Sequence, residues 1–400
     1  MRIALVRQRY DPFGGAERFI ERALPALERA GAEVTLIARR WDSNGRNSNG
    51  RDGSRARGGG SETRGALKLL RVDPFHAGNL WRDCSFARAA RAAWRGGGFD
   101  LVQSHERIPG CDIYRAGDGV HRRWLELRRA AAGPLERLGM ALNPYHRYVC
   151  AAERRMFEHP RLRAVICNSA MVRDEIASRF RVAPEKLHVI HNGVDLQHFH
   201  PQRRAALRRA ARAEWRVAED ETVFVFVGSG YARKGLDAAI AALAQCAGAQ
   251  LHPQFHLLVA GRDRDTARYA AQARGAGVGE RVHFAGGRDD VRPLYAAADC
   301  FILPTRYDPF PNSALEALAM GLPVIVGRRS GAAELVRAGE NGWVCDPEDV
   351  AGLARLMQQA AAAGGRMDAA ARSTAERYGL DEMAGKLTRL YSALGATAAA

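Results

Sequence analysis

Four hundred residues, 47% of them hydrophobic, are enough for two domains with full cores. Sixty Lys and Arg against 44 Asp and Glu give a formal charge of +16, which favours polyanionic partners: phosphorylated ligands, an anionic membrane surface or nucleic acid. The seven scattered cysteines, the charged start MRIALVRQRY and the lack of a long apolar run exclude a disulfide framework, a zinc site, a signal peptide and a membrane span, and predict a cytosolic chain that meets membranes only peripherally.

A first buried strand is read over residues 2–6. Asp11-Pro12-Phe13-Gly14-Gly15 leads from it into a helix over 16–30, which makes either a phosphate-binding loop at a helix start or a plain tight turn. A second strand covers 33–38. From 42 to 65 the chain has almost nothing to bury and is predicted to be a disordered surface insertion. A strand over 66–72, a helix over 83–94 and a strand over 99–103 follow.

The stretch 104–121, SHERIPGCDIYRAGDGVH, lies at a strand exit, where ligand-contacting residues belong. His105 is either a partner for sugar hydroxyls or phosphate, or a structural histidine. Asp112 and Asp118 either orient an acceptor hydroxyl or cap turns. Residues 121–148 interleave Arg122, Arg123, Arg128 and Arg129 with Trp124 and leucines. That mixture fits a surface resting on an anionic bilayer, and also a pair of packed helices with snorkelling arginines. A strand over 163–168, a helix over 171–180 capped by Ser169, and a short run over 187–190 lead to HNGVD, 191–195, the predicted hinge.

The second half opens with an Arg- and Ala-rich helix over 201–215. A strand over 222–227 exits into GSGYARKG, where Arg233 and Lys234 can grip a diphosphate, Arg bidentately and Lys as a point charge, or stand as two solvated cations. A strand over 255–260 exits at Gly261-Arg262, and 282–288 is another strand-to-loop exit ending in Arg288. The stretch 300–327 reads as strand, loop, helix and strand of a parallel sheet, with Asn312 or Ser313 capping a helix over 314–320. Its loop carries Asp308 and its helix Glu316, spaced so that one acid reaches each end of a ligand. Ser313-Ala314-Leu315-Glu316 also fits a capping box in which Glu316 serves only its helix. A short helix over 330–337, a strand over 342–345, helical chain from 347 and a frayed tail complete the sequence.

The acid-x7-acid unit, the Arg233-Lys234-Gly235 loop and the HNGVD segment together resemble the retaining glycosyltransferases of family 4. The resemblance implies an α/β GT-B fold: two facing Rossmann-like domains with parallel sheets and a deep cleft between them. It sets an acceptor-binding domain over 1–190, a nucleotide-sugar-binding domain over 191–378 and a last helix over 379–400 that crosses back to the first domain. It gives the ribose hydroxyls of a sugar nucleotide to Glu316, the donor sugar to Asp308 in place of the family's usual Glu, and the departing diphosphate to Arg233 and Lys234. The donor site would further include Gly14, Gly15, Gly230, Arg262, Arg288, Phe310, Pro311 and Asn312. His105 and Asp112 would join Arg233, Lys234 and Asp308 in the catalytic set.

Pro109, Gly110, Asp112, Tyr114, Ala116 and Asp118 carry a narrower resemblance, to lipopolysaccharide core glucosyltransferases of that family. It implies transfer of a hexose, glucose from UDP-glucose, onto a heptose of a lipid-linked core oligosaccharide. It also implies contact with the anionic inner face of the inner membrane through Arg122, Arg123, Trp124, Arg128 and Arg129. The chain offers no DxD-like dyad in a suitable loop, so no metal or other cofactor is expected. It offers no nucleophile carboxylate either, and the family reacts on one face, the leaving phosphate taking the proton of the attacking hydroxyl. Two rivals are a sugar-nucleotide epimerase on the same fold and a basic nucleic-acid binder. Against the latter stand motifs that line a cleft and an aromatic content of 8%.

Overall fold

The computed structural model of the protein describes residues 1–10, 24, 27, 31–41, 61–64, 67–248 and 254–399. The chain forms two compact units, Met1–His191 with Asp381–Ala400, and Asn192–Leu380. No described helix is long and apolar enough to cross a membrane.

The first unit is built on a sheet of eight strands: β1 (Arg2–Tyr10), β2 (Glu33–Trp41), β3 (Ser61–Arg64), β4 (Leu67–Arg71), β5 (Leu101–Ser104), β6 (Ile113–Ala116), β7 (Ala164–Cys167) and β8 (Leu187–Val189). Their order is β3-β4-β2-β1-β5-β6-β7-β8, and every pair is parallel except β3 with β4. Ile3 to Val6 and all of β5, β6 and β7 are buried, since a parallel sheet has both faces covered, and Ile3–Val6 and β7 accordingly read as unbroken apolar runs. Phe86 and Trp94 of the helix Gly78–Gly96, Tyr114 of β6 and Phe157 of the helix Pro144–Phe157 share one core with Ala4 and Val6.

One expectation is corrected here. Ser61–Arg64, placed in a disordered insertion, form strand β3, paired antiparallel with β4 so that Ser61 faces Leu70 and Arg64 faces Leu67. Pairing along a sheet edge satisfies backbone groups and needs no apolar side chains, so the polar composition does not forbid it. The rest of that insertion up to residue 60 lies outside the described residues, as do Gly14 and Gly15; of the helix read over 16–30, Leu24 and Leu27 are described and helical.

The second unit holds six parallel strands: β9 (Thr222–Val227), β10 (Phe255–Ala260), β11 (Val282–Gly286), β12 (Cys300–Leu303), β13 (Val324–Gly327) and β14 (Gly342–Cys345), in the order β11-β10-β9-β12-β13-β14. The chain winds outward from β9 through β10 and β11, then returns to the other side of β9 at β12. That reversal is a topological switch point, and in open parallel sheets ligands bind at such a point, outside the strands' carboxyl ends. The loops leaving β9 and β12 both carry predicted site residues.

Candidate active site

In the second unit the loop after β9 turns at Gly230, which has a positive φ of 77°, into a single helical turn, Tyr231–Lys234. Gly235 ends that turn at φ 79°, and a Cβ there would stand 2.0 Å from the Pro304 carbonyl oxygen. Only glycine lets the β9 and β12 loops approach so closely. The approach brings Arg233 and Lys234 against Asp308: the Lys234 ammonium is in contact with Asp308 Oδ2, and Arg233 Nη1 lies 3.6 Å from the same oxygen while donating to the Tyr307 carbonyl at 2.9 Å. Lys234 and Asp308 are buried, while Arg233 remains partly exposed. Burial lowers the Lys234 pKa, the nearby Asp308 charge opposing it and Arg233 adding to it.

Asp308 is fixed by its backbone, its amide donating to the Arg329 carbonyl and its carbonyl accepting from the Gly331 amide. The helix that follows, Asn312–Ala319, starts one residue earlier than an Asn312 cap allows and two earlier than a Ser313 cap: Pro311 is its N-cap, and no side-chain hydrogen bond caps it there. The capping box is therefore not formed. Glu316, 1% exposed, instead accepts from the Tyr295 hydroxyl at 3.3 Å, and Asn312 Oδ1 accepts from Asn192 Nδ2 at 2.7 Å. Phe310 is buried beside them in sequence. A buried carboxylate held by a hydroxyl suits hydrogen bonding to a ligand's diol.

Arg262 follows β10; its amide donates to Ser229 Oγ of the β9 loop at 3.1 Å, and its side chain passes so close to Gly287 that a Cβ there would come within 2.4 Å of Nε. Arg288 is not gathered into this cluster. Its guanidinium pairs with Glu214 at 2.9 Å, donates to the Ala285 carbonyl and stacks on Trp215. Such an exposed pair is worth under about 1 kcal/mol and competes little with an anion.

In the first unit His105 follows β5, its amide donating to the Val6 carbonyl of β1. It is buried, and burial, reinforced by Arg115 and Arg7, lowers its pKa well below the usual histidine value, so the ring is neutral. Asp112 does not meet it. Asp112 stands at the amino end of β6, where its carboxylate accepts from the Val102 amide at 2.9 Å and lies 3.5 Å from Arg161, and its carbonyl takes the Arg163 and Ala164 amides. The register Gln103 to Ile113 puts it about 10 Å along the strands from the level of His105. Asp112 thus ties β6 to β5 and to the chain entering β7, a structural duty that the sequence could not separate from a catalytic one.

At the carboxyl ends of β1, β5 and β6 the structure gathers Asp118, which the sequence reading weighed, with residues that it passed over. Arg7, Gln8, Glu106, Arg107, Asp118, His121, Tyr145 and Tyr148 line a cavity of 280 Å³ together with Arg82 and Asp83. Glu106 accepts from the Gln8 amide at 2.9 Å and sits 3.4 Å from Arg7, which also reaches Asp118 at 3.5 Å. Burial raises the Glu106 pKa against the pull of Arg7; at Asp118 burial is outweighed by Arg7, Arg107 and Arg115, and its pKa is lowered. Buried Glu153 takes Arg107 Nε at 3.0 Å and the His121 amide at 2.8 Å, fixing the start of the helix His121–Ala131 at the cavity. A cavity of paired charges and phenol hydroxyls offers many donors and acceptors with little net charge, the chemistry that recognises a polyhydroxylated molecule. The signal available was the switch from apolar Ala4-Leu5-Val6 to polar Arg7-Gln8-Arg9 at the carboxyl end of β1.

Of the predicted membrane residues, Arg122 and Arg129 are exposed, Arg128 is paired with Glu136 at 2.8 Å, Trp124 is half-buried, and Arg123 lies inward, between Glu126 at 3.4 Å and Glu175 at 3.5 Å. The exposed apolar surface belongs to the next helix, Pro134–Leu142. There Leu135, Leu138 and Leu142 are 87%, 58% and 67% exposed, and their spacing puts them on one face.

Two family models match the chain: Glycosyltransferase Family 4 over residues 13–198 and Glycosyl transferases group 1 over residues 208–377. The lipopolysaccharide glucosyltransferase WaaG of Escherichia coli K12 is 25% identical over 344 residues, which cover 86% of this chain and 85% of the relative. The crystal structure of WaaG, involved in lipopolysaccharide biosynthesis, superposes with a TM-score of 0.79 at 24% identity over 97% of this chain and 99% of that one. Anabaena Alr3699/HepE in complex with UDP-glucose superposes with a TM-score of 0.70 at 19% identity, over 98% of this chain and all of that one (100%). With both models matched in sequence order on two parallel-sheet units, the chain belongs to the family 4 glycosyltransferases of the GT-B fold.

Proposed function

We propose that the protein is a retaining hexosyltransferase that moves glucose from UDP-glucose onto a heptose of the lipopolysaccharide inner core, working on the anionic cytoplasmic face of the inner membrane. The observation that carries this reading is the Arg233, Lys234 and Asp308 cluster at the switch point, followed by buried Glu316. The two cations meet the diphosphate, Glu316 takes the ribose diol, and Asp308 is placed beside the sugar. The lipopolysaccharide glucosyltransferase activity of the Escherichia coli relative supports glucose as the sugar and lipopolysaccharide as the acceptor class, and the UDP-glucose bound to the Anabaena protein supports the donor class.

In the transfer, the bond between the sugar's anomeric carbon and the diphosphate oxygen breaks and a bond from that carbon to the acceptor oxygen forms on the same face. The acceptor's proton passes to the leaving phosphate. Arg233 and Lys234 stabilise the charge that develops there, with no metal required. Cations held in place before the reaction begins need little reorganisation, which is where their advantage over water lies. The cavity around Glu106 and Asp118 takes the acceptor sugar, and the leucine face of Pro134–Leu142, flanked by Arg128, Arg129 and Arg137, rests on the bilayer from which a lipid-linked acceptor is drawn.

The test is turnover with a panel of UDP- and GDP-sugars on truncated lipid-A core acceptors, comparing wild type with Glu316→Ala and Lys234→Ala. Glucose transfer from UDP-glucose that both substitutions abolish in folded protein is the expected result. Epimerised sugar nucleotide without transfer would overturn the reading, as would undiminished transfer by both variants.

A further inference from the structure

Gln103, the third residue of β5, is 1% exposed, and its side-chain amide lies between two rings. On one side Nε2 is 3.0 Å from His105 Nε2. On the other, Oε1 accepts from the hydroxyl of Tyr391 at 2.5 Å, a residue remote in sequence on the helix Leu380–Ala399. Tyr391 is 1% exposed as well. All three belong to the same unit.

The direction of this relay follows from charge and from which groups can donate. Burial raises the Tyr391 pKa, so the phenol keeps its proton, and burial keeps His105 neutral. A neutral imidazole has one N–H and one lone pair, and which nitrogen holds which is set by its neighbour. With the phenol donating to Oε1, the amide turns its N–H toward His105, and only a lone pair on Nε2 can receive it. The ring proton then resides on Nδ1. The opposite amide orientation would need the phenol oxygen to accept, leaving its own proton to find another acceptor in a dry interior.

We infer that Gln103 and Tyr391 are positioning residues that hold His105 in the Nδ1–H form, so that the C-terminal helix sets which hydrogen bond this histidine offers during glycosyl transfer. The functional half of this rests on the transfer reading above; the tautomer itself does not. A histidine locked as an Nδ1–H donor is matched to an oxygen acceptor of the substrate and is unavailable as a base through that nitrogen. The relay also explains why a buried Gln is kept in a strand whose other members are Leu, Val and Ser.

The experiment is two-bond 1H–15N correlation on the full chain labelled at histidine, with His105→Gln to assign the signal, followed by turnover of Tyr391→Phe. Wild type is expected to show a protonated Nδ1 and an unprotonated Nε2 for His105 between pH 6 and 8. Tyr391→Phe, which removes one oxygen from a packed ring, is expected to move that signal toward a mixture of tautomers and to lower kcat roughly tenfold with an unchanged KM for the nucleotide sugar, a change of the size of one hydrogen bond. An Nε2–H tautomer in wild type would overturn the inference, and so would a Tyr391→Phe protein whose tautomer and kcat both match wild type. If no sugar nucleotide supports transfer by any form, the transfer reading fails while the resonances still decide the relay.

Discussion

The Lys234 ammonium rests against the Asp308 carboxylate in the interior of the second unit, with Arg233 3.6 Å away on the same oxygen. On the proposed reading the pair has a structural and a catalytic job, which mutation can separate. Removing Lys234 leaves a buried carboxylate with only the longer contact to Arg233, and Lys234→Ala is expected to lose about 3 kcal/mol of stability in urea titration and at least about 100-fold in turnover. Lys234→Ala with Asp308→Ala is expected to regain most of that stability and none of the turnover. A single variant as stable as wild type would mean the two charges are not coupled.

Asp112→Asn separates structure from chemistry in the first unit. The amide keeps an acceptor for the Val102 N–H, so the variant is expected to fold with a loss of about 1 kcal/mol and to keep kcat within about twofold of wild type, whereas loss of a group acting on the acceptor would cost on the order of 100-fold. Single-temperature turnover beside a urea midpoint is sufficient.

Acid stability should track His121. Burial, with Arg107 and His146 adding to it, lowers its pKa from 6.5 to about 4, and His146 is lowered by burial as well. Between those two values the unfolded chain binds a proton that the folded one refuses, so stability is flat with respect to this group above pH 6.5 and falls as pH drops toward 4. Urea midpoints at pH 7, 5.5 and 4.5 should decline in wild type and decline less in His121→Gln. Parallel slopes would remove His121 from the account.

Vesicle binding should follow the leucines and not Arg123. Replacing Leu135, Leu138 and Leu142 together by Ser is expected to weaken sedimentation with anionic vesicles by at least about tenfold, since each buried leucine contributes roughly 1.5–3 kcal/mol, without altering turnover on a detergent-free, delipidated acceptor. Arg123→Ala, which breaks contacts to Glu126 and Glu175, should affect unfolding more than binding. Raised salt should weaken wild-type binding through the arginines.

Turnover should survive chelation. If Arg233 and Lys234 meet the diphosphate as proposed, dialysis against EDTA is expected to leave kcat within about twofold of the untreated enzyme, well short of the several kcal/mol that loss of a catalytic metal would remove. A loss reversed by added magnesium or manganese would put a cation in the site.

What could be read in the sequence followed from local rules. The unit 300–327 declared itself because an apolar run, a Pro-rich loop and a glycine stop are each short-range signals, and all three agree on one strand, one loop and one helix. Even there the cap was misplaced, since Asn312 turns its side chain to Asn192, a partner no window of sequence contains. Asp112 looked catalytic because it follows a strand in the chain, but the register of β6 against β5 puts it at the wrong end. The cavity around Glu106 was only partly legible for the same reason: the stretch 104–121 marked a strand exit and Asp118, but β1 and three helices that carry no motif supply the rest of its lining. Exposure of Leu135, Leu138 and Leu142 is likewise a tertiary fact, for their spacing alone describes a helix face that any neighbour could have covered.

The β3 and β4 pairing has a practical corollary. Trp41 ends β2 and Ser61 begins β3, and the order β3-β4-β2 together with the registers puts these two positions on one sheet, toward the same end of it. Strand spacing and rise separate them by roughly 15–20 Å, a gap that five or six extended residues span. The chain between them is several times longer than that. Exchanging residues 42–60 for a short linker would therefore leave every described strand in register and favour folding by roughly 1 kcal/mol through the shorter closure. The same site, anchored at one end on the edge strand β3, is a natural place to graft a tag or a fluorescent domain.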